Sequence, residues 1–231
     1  MDERLSAVRD RRAVLSNGLG LAAAMAVPGA VSASTRVPAQ TLASVEPASA
    51  ASMVASPLTS PRVVRPELMR RALAALGRHA DRVEHHDRIA IADFAAPSAQ
   101  ARFHFVDLQT GRSQSLLVAH GSGSDPSHTG WLQRFSNADG SNASSEGAFL
   151  AADYYVGKHG RSQRLHGLDA TNSNALARAI VVHSAWYSNP DMLRTHGMLG
   201  RSQGCFAVGE ADLDRVFALL GSGRMIYAAK V

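Results

Sequence analysis

The chain carries a single cysteine, Cys205, and its surroundings suit a nucleophile. It lies in Gly200-Arg201-Ser202-Gln203-Gly204-Cys205-Phe206-Ala207-Val208. Glycines flanking polar residues favour a tight turn, so the thiol can reach solvent. On such a turn the backbone N–H groups of Gln203, Gly204 and Cys205 can converge into an anion-binding nest. Acyl transfer needs both parts, a sulfur that attacks a carbonyl and donors that stabilise the developing oxyanion. A thiol with an ordinary pKa near 8.5 also needs a base or cation beside it. His183 is the candidate base, because it ends the apolar run Ala179-Ile180-Val181-Val182 and can leave the core into a site while its backbone stays fixed. Ser184 can orient the ring through its carbonyl or its hydroxyl. Read alone, Cys205 is equally a small buried residue, and His183 a strand-end histidine satisfied by solvent; together they form a constellation.

Short strands must position this pair. Pro66 suits a first helical turn. Met69, Leu73, Leu76, Ala80 and Val83 recur at steps of three and four, predicting a helix that ends near His85-His86. Strands are expected over 89–94, 102–107 and 113–119, the last two joined as a hairpin at Gly111. A Gly/Ser/Asn/Asp-rich stretch from His120 to Gly147 reads as a long functional or disordered loop. Further strands are expected over 149–156, 162–168 and 178–183, the last as a central strand covered on both faces. A helix is expected over 210–220, with Leu213, Val216, Phe217 and Leu220 on one side and Gly221 and Gly223 stopping it, followed by a closing strand over 224–229. The expected fold class is α+β and strand-dominated, with a few flanking helices.

The segment Val182-His183-Ser184-Ala185-Trp186 followed by Ser202-Gln203-Gly204-Cys205 resembles the paired signature of the L,D-transpeptidase catalytic domain, the YkuD-like family. Ser144-Ser145-Glu146-Gly147-Ala148-Phe149 is similar to the family segment that lines the donor site. The segments 154–162, 167–174 and 200–208 look like its proteobacterial murein branch. The resemblance covers roughly Arg102 to Lys230 and implies a mixed β-sandwich or sheet of the L,D-transpeptidase type. It implies that Cys205 attacks the position-three carbonyl of a peptidoglycan stem tetrapeptide, with His183 as base, and that a second stem accepts the acyl group in a 3→3 crosslink. No cofactor or metal is required. Substrate-binding candidates are Ser202, Arg201, Gly147, Phe149, Tyr154, Trp186 and His120. Core burial accounts as well for the aromatic ones, and a solvated loop for His120. Lys158-His159-Gly160-Arg161 could bind a stem carboxylate, although a plain polar loop explains it as well. Two positions depart from the family pattern. Gln203 stands where His is frequent, and Ala207 where Arg or Asn is common, which leaves Arg201 as the expected brace of the loop.

The rest of the chain sets the context. Arg11-Arg12, the apolar run to Val27 and the small residues Val31-Ser32-Ala33 read as a twin-arginine-like export signal over 1–33. Residues 34–65, rich in Ala, Ser and Pro, read as a flexible tether, and 66–231 as the catalytic domain. We therefore expect a periplasmic monomer. The formal net charge of +5 comes from scattered arginines with few aromatics, which argues against a nucleic-acid partner. Among the ten histidines no compact ligand spacing occurs, which argues against a metal enzyme. A papain-like or NlpC-type peptidase would have its histidine after the cysteine. An L,D-carboxypeptidase acting on the same stems and a degenerate wall-binding module remain as alternatives.

Overall fold

A computed structural model describes residues 63–231. The expected export signal and most of the expected tether lie outside these residues. The end of the expected tether is anchored to the domain at two residues. Val64 is buried, and Arg65 Nε donates to Asp93 Oδ2 at 3.0 Å.

The first helix, α1, spans Pro66–Arg78. It stops well short of His85, and it buries Leu68, Ala72, Ala75 and Leu76 rather than the expected stripe through Met69 and Leu73. The difference is a small rotation. Two alanines supply half of the buried face and allow close approach to the sheet, a signal that large side chains outweigh in a periodicity reading. Val83 is also buried, but from the turn beyond the helix.

Eight strands follow in one sheet: β1 Arg88–Asp93, β2 Phe103–Asp107, β3 Ser113–Leu116, β4 Gly147–Gly157, β5 Gly160–Gly167, β6 Val181–Ser184, β7 Phe206–Val208 and β8 Met225–Ala229. Their order is β3-β2-β1-β8-β4-β5-β6-β7. The β1–β8 and β6–β7 pairs are parallel and the other pairs antiparallel. The strand expected to close the domain is instead its middle. All five residues of β8 are buried, between β1 and β4. Conversely, β6 is next to an edge rather than central. Two short helices complete the fold, α2 Asp191–His196 and α3 Leu213–Leu220.

The sheet curls so that its two ends meet. Just beyond β3, Ala119 forms an antiparallel bridge with Ala207 of β7. Inside the curl, Phe206 lies 5.9 Å from Phe103, 5.3 Å from Phe149 and 6.3 Å from Phe94, ring centre to ring centre. Leu213, Val216, Phe217 and Leu220 of α3 close this core, and α1 covers the opposite face of β1, β8 and β4. Each face of the sheet is thus apolar, one against helix and one against its own far end.

The long loop over 120–147, expected to be functional or disordered, is ordered by hydrogen bonds. Ser124, Asp125, Ser144 and Ser145 are buried there. Asp125 accepts from the N–H groups of Thr129 at 2.9 Å and Gly130 at 2.8 Å, which is how short polar side chains build a loop without a ladder.

Phe206 joins this core directly to Cys205. Phe206→Ala is expected to cost about 3–5 kcal/mol, as for other buried aromatic truncations, read as a lower urea midpoint in equilibrium unfolding.

Candidate active site

Cys205 and His183 line one cavity of about 350 Å³. The fold brings them there through the parallel β6–β7 pair. His183 is in register with Ala207, and Cys205 precedes Ala207 by two residues. The bend that carries Cys205 enters β7 directly, and both side chains face the same cavity. Cys205 is a partly exposed free thiol, and His183 is almost wholly buried, 1% exposed. Within the cavity they are joined by Arg201, Ser202 and Gln203 from the cysteine turn and by Tyr155, Lys158, His159, Arg178 and Tyr187 from elsewhere.

The imidazole is held in one orientation. His183 Nδ1 lies 2.9 Å from the Ser184 carbonyl oxygen. A carbonyl can only accept, so Nδ1 carries the hydrogen and Nε2 keeps its lone pair. Ser184 orients the ring through its backbone carbonyl. The His159 ring stacks on the His183 ring at 4.4 Å and 22°. The thiol donates to Ala179 O at 3.5 Å and makes no hydrogen bond to the imidazole in this rotamer. Ala179 has a left-handed backbone, with φ of 52°. It turns the chain just before β6, shortening the strand expected over 178–183.

The cysteine turn is built by Ser202. Its Oγ accepts from the Gly204 N–H at 3.1 Å and donates to the Cys205 carbonyl at 2.7 Å. The Gly204 amide is therefore spent within the turn. The amides of Gln203 and Cys205 make no turn or loop hydrogen bond among the described residues. Gly204 has φ of +110°, and a Cβ there would meet Ala143 O at 2.7 Å. The opposite side of the turn is bridged to the loop after β3. The Ser202 N–H donates to His120 O at 2.9 Å, and the Ser122 N–H donates to Ser202 O at 2.8 Å.

Desolvation governs the titration of the pair. Burial pushes the Cys205 thiol above its ordinary value of 9.0, against the opposing pull of the Val181 N–H and of Lys158 and Arg178. Burial likewise lowers the His183 imidazole below 6.5, against the Ser184 hydrogen bond, with His159 and Lys158 lowering it further. Both shifts favour the neutral thiol and the neutral imidazole over an ion pair. The Tyr187 phenol is pushed up to about 12 by burial and by its closeness to Cys205, and so remains a donor.

Several expected substrate contacts lie elsewhere. Phe149 is fully buried in the core against Phe206. Gly147 faces Asp169, whose Oδ2 would lie 2.6 Å from an added Cβ. Tyr154 is 47% exposed and packs on Phe217, whereas Tyr155 reaches the cavity. A register irregularity between Ala151 and Tyr154 upsets the alternation that would have predicted this. Trp186 is 66% exposed and edge-on to Tyr187, which takes the wall position. His120 is buried away from the cavity, its ring between Arg102 Nη2 at 2.7 Å and Asp125 Oδ2 at 3.4 Å. Burial and Arg102 hold that ring neutral, pushed down to about 4. Among the described residues, no group of three or more His, Cys, Asp or Glu side chains could hold a metal ion.

The loop is braced at two points. Arg201 Nη1 donates to the backbone carbonyls of Asp125 and Pro126. Arg178, which the motif reading passed over, donates to Ser136 O at 2.8 Å, Ser145 Oγ at 2.7 Å and Ala143 O at 2.6 Å. It thereby fixes the carbonyl of Ala143, against which Gly204 packs. No spacing in the sequence pairs Arg178 with Cys205; only the fold does.

Residues 61–229 match the L,D-transpeptidase catalytic domain family, and the chain belongs to it. No curated protein matches the chain. Among solved structures, the chain is similar to L,D-transpeptidase 1 of Mycobacterium tuberculosis, with 14% identity, 61% of this chain and 60% of that chain covered and a TM-score of 0.35. It is similar to an L,D-transpeptidase of Mycobacterium smegmatis at 13% identity, covering 62% and 58%, with a TM-score of 0.37. It is also similar to the helical cell shape determining protein Pgp2 of Campylobacter jejuni at 10% identity, covering 72% and 57%, with a TM-score of 0.41. The match thus spans about three fifths of each of these chains. Family membership rests on the family match and not on these distant structural likenesses.

Two outcomes follow from the geometry. Because burial raises the thiol pKa, alkylation of Cys205 by iodoacetamide should stay slow through neutral pH and climb at a higher pH than that of a small free thiol. A plateau already reached near about pH 7 would instead reveal a thiolate–imidazolium pair. Gly204→Ala forces a side chain against Ala143 O in a backbone region that L residues avoid. It is expected to lower Tm by several degrees, roughly 1–2 kcal/mol, in a thermal melt.

Proposed function

We propose that this chain is a peptidoglycan L,D-transpeptidase whose nucleophile is Cys205 and whose general base is His183. The observation that carries the proposal is one cavity holding a partly exposed thiol and an imidazole with its Nε2 free. The family match supplies the reaction class.

In this reading the donor stem tetrapeptide displaces the thiol proton from Ala179 O, and Nε2 of His183 takes it as the sulfur attacks the position-three carbonyl. Because burial favours the neutral form of each group, proton removal and attack are coupled in this reading. The S–C bond forms, and the N–H groups of Gln203 and Cys205 stabilise the oxyanion. The C–N bond to the terminal D-Ala then breaks, and the imidazolium protonates the leaving amine. The side-chain amine of a second stem attacks the thioester, gives its proton to His183 and releases the thiolate, which takes that proton back. The product is a 3→3 crosslink. If water replaces the amine, the same steps make an L,D-carboxypeptidase. No cofactor takes part. The N-terminal residues 1–33 support export to the periplasm, and we propose that the domain acts there as a monomer on stem peptides.

A carbapenem is expected to acylate the wild-type chain once, visible by intact mass, and Cys205→Ala should carry no adduct. His183→Ala should slow adduct formation by about 10²-fold or more. Incubation with purified wall tetrapeptide should yield crosslinked dimers. Tripeptide alone would assign the carboxypeptidase. A folded wild-type chain that forms no adduct would leave a wall-binding module as the function.

A further inference from the structure

The charges around the cavity are all of one sign. Three of its lining side chains, Lys158, Arg178 and Arg201, are cationic, and none is acidic. Among the described residues none of the three is in a salt bridge. The nearby carboxylates do not neutralise them. Asp125 meets Arg201 only through its backbone carbonyl, while its carboxylate serves Thr129, Gly130 and His120. Asp139 acts on Arg178 across a distance without pairing with it. The guanidinium of Arg178 is committed to three acceptors, none of them charged. Lys158 stands at the tip of the β4–β5 hairpin, within the turn that Gly157 and Gly160 close, and its charge is felt by both Cys205 and His183. Uncompensated cations inside a concave, partly desolvated site focus a positive potential.

We infer that Lys158, Arg201 and Arg178 form an anion-selecting collar around Cys205, which admits acyl donors bearing a free carboxylate and discriminates against the same donors as carboxamides. This rests on the transpeptidase reading for the identity of the donor but not for the existence of the collar. The hairpin is the selective element, because Arg178 and Arg201 are tied to loop carbonyls while the Lys158 ammonium makes no hydrogen bond or salt bridge among the described residues and can reach toward a ligand. Lysine suits this role as a mobile point charge, and the fixed guanidinium groups set the background field.

Two measurements test it. First, the rate of Cys205 alkylation by iodoacetate is divided by the rate with iodoacetamide. Both reagents attack the same thiolate, so changes in thiol pKa cancel in the ratio. Relative to N-acetylcysteine amide, the ratio should be raised about tenfold at low salt and should fall as salt is added. Lys158→Gln and Arg201→Gln should each lower it about threefold, and Lys158→Glu should lower it further. A ratio equal to that of the small thiol, or one unmoved by all three substitutions, overturns the collar. Second, three synthetic tetrapeptide donors are compared: the free acid, the side-chain carboxamide at residue three, and the C-terminal carboxamide. Slower consumption of one amide identifies which carboxylate the collar holds. Equal consumption of all three by a chain that a carbapenem still acylates overturns the inference while the transpeptidase reading stands. A raised iodoacetate ratio with no donor consumed overturns the transpeptidase reading and leaves the collar in place.

Discussion

The Ser202 hydroxyl organises the site, because it accepts from the Gly204 amide and donates to the Cys205 carbonyl in the same turn. Those two bonds consume polar groups that would otherwise be buried without partners. They also close the turn so tightly that residue 204 must adopt a backbone conformation open mainly to glycine, with its α-carbon against Ala143. Everything else about the thiol follows from that closure. Its neighbours leave the sulfur at a cavity edge, the Phe206 side chain drops into the core, and the 201–202 backbone pairs with the loop after β3.

The second constraint is the curl of the sheet. Parallel pairing of β6 with β7 brings the histidine and cysteine to one cavity, and the Ala119–Ala207 bridge ties that edge to the opposite end of the sheet. A flat sheet would leave β7 as an open edge and the cysteine turn unsupported. Burial at this end of the sheet also shifts the Cys205 thiol up and the His183 imidazole down, each toward its neutral form.

The cavity is an electrostatic compromise. Lys158 and Arg178 favour the thiolate, but desolvation outweighs them at the sulfur and lowers the imidazole. Stacking of His159 on His183 adds a flat wall beside the imidazole. Arg178 holds together segments 136, 143 and 145, so one side chain both props the loop under Gly204 and contributes to the field at Cys205.

Sequence alone determined the parts whose chemistry is local. The Ser-x-Gly-Cys turn, the histidine ending an apolar run and its orienting carbonyl are legible because adjacent residues make them. So are most strands, the apolar face of α3 and the family motifs, since alternation and glycine placement are short-range signals. Tertiary structure decided the rest. Whether Tyr154 or Tyr155 and Trp186 or Tyr187 face the cavity depends on a register irregularity and a turn that no local pattern encodes. The inward placement of Phe149, the removal of His120 into a buried pair with Arg102, the central position of β8 and the approach of Arg178 and Lys158 to Cys205 all join residues far apart in the chain. Such contacts are set by how the whole sheet closes, because burial is shared among all the residues that meet in space and is not a property of any one segment.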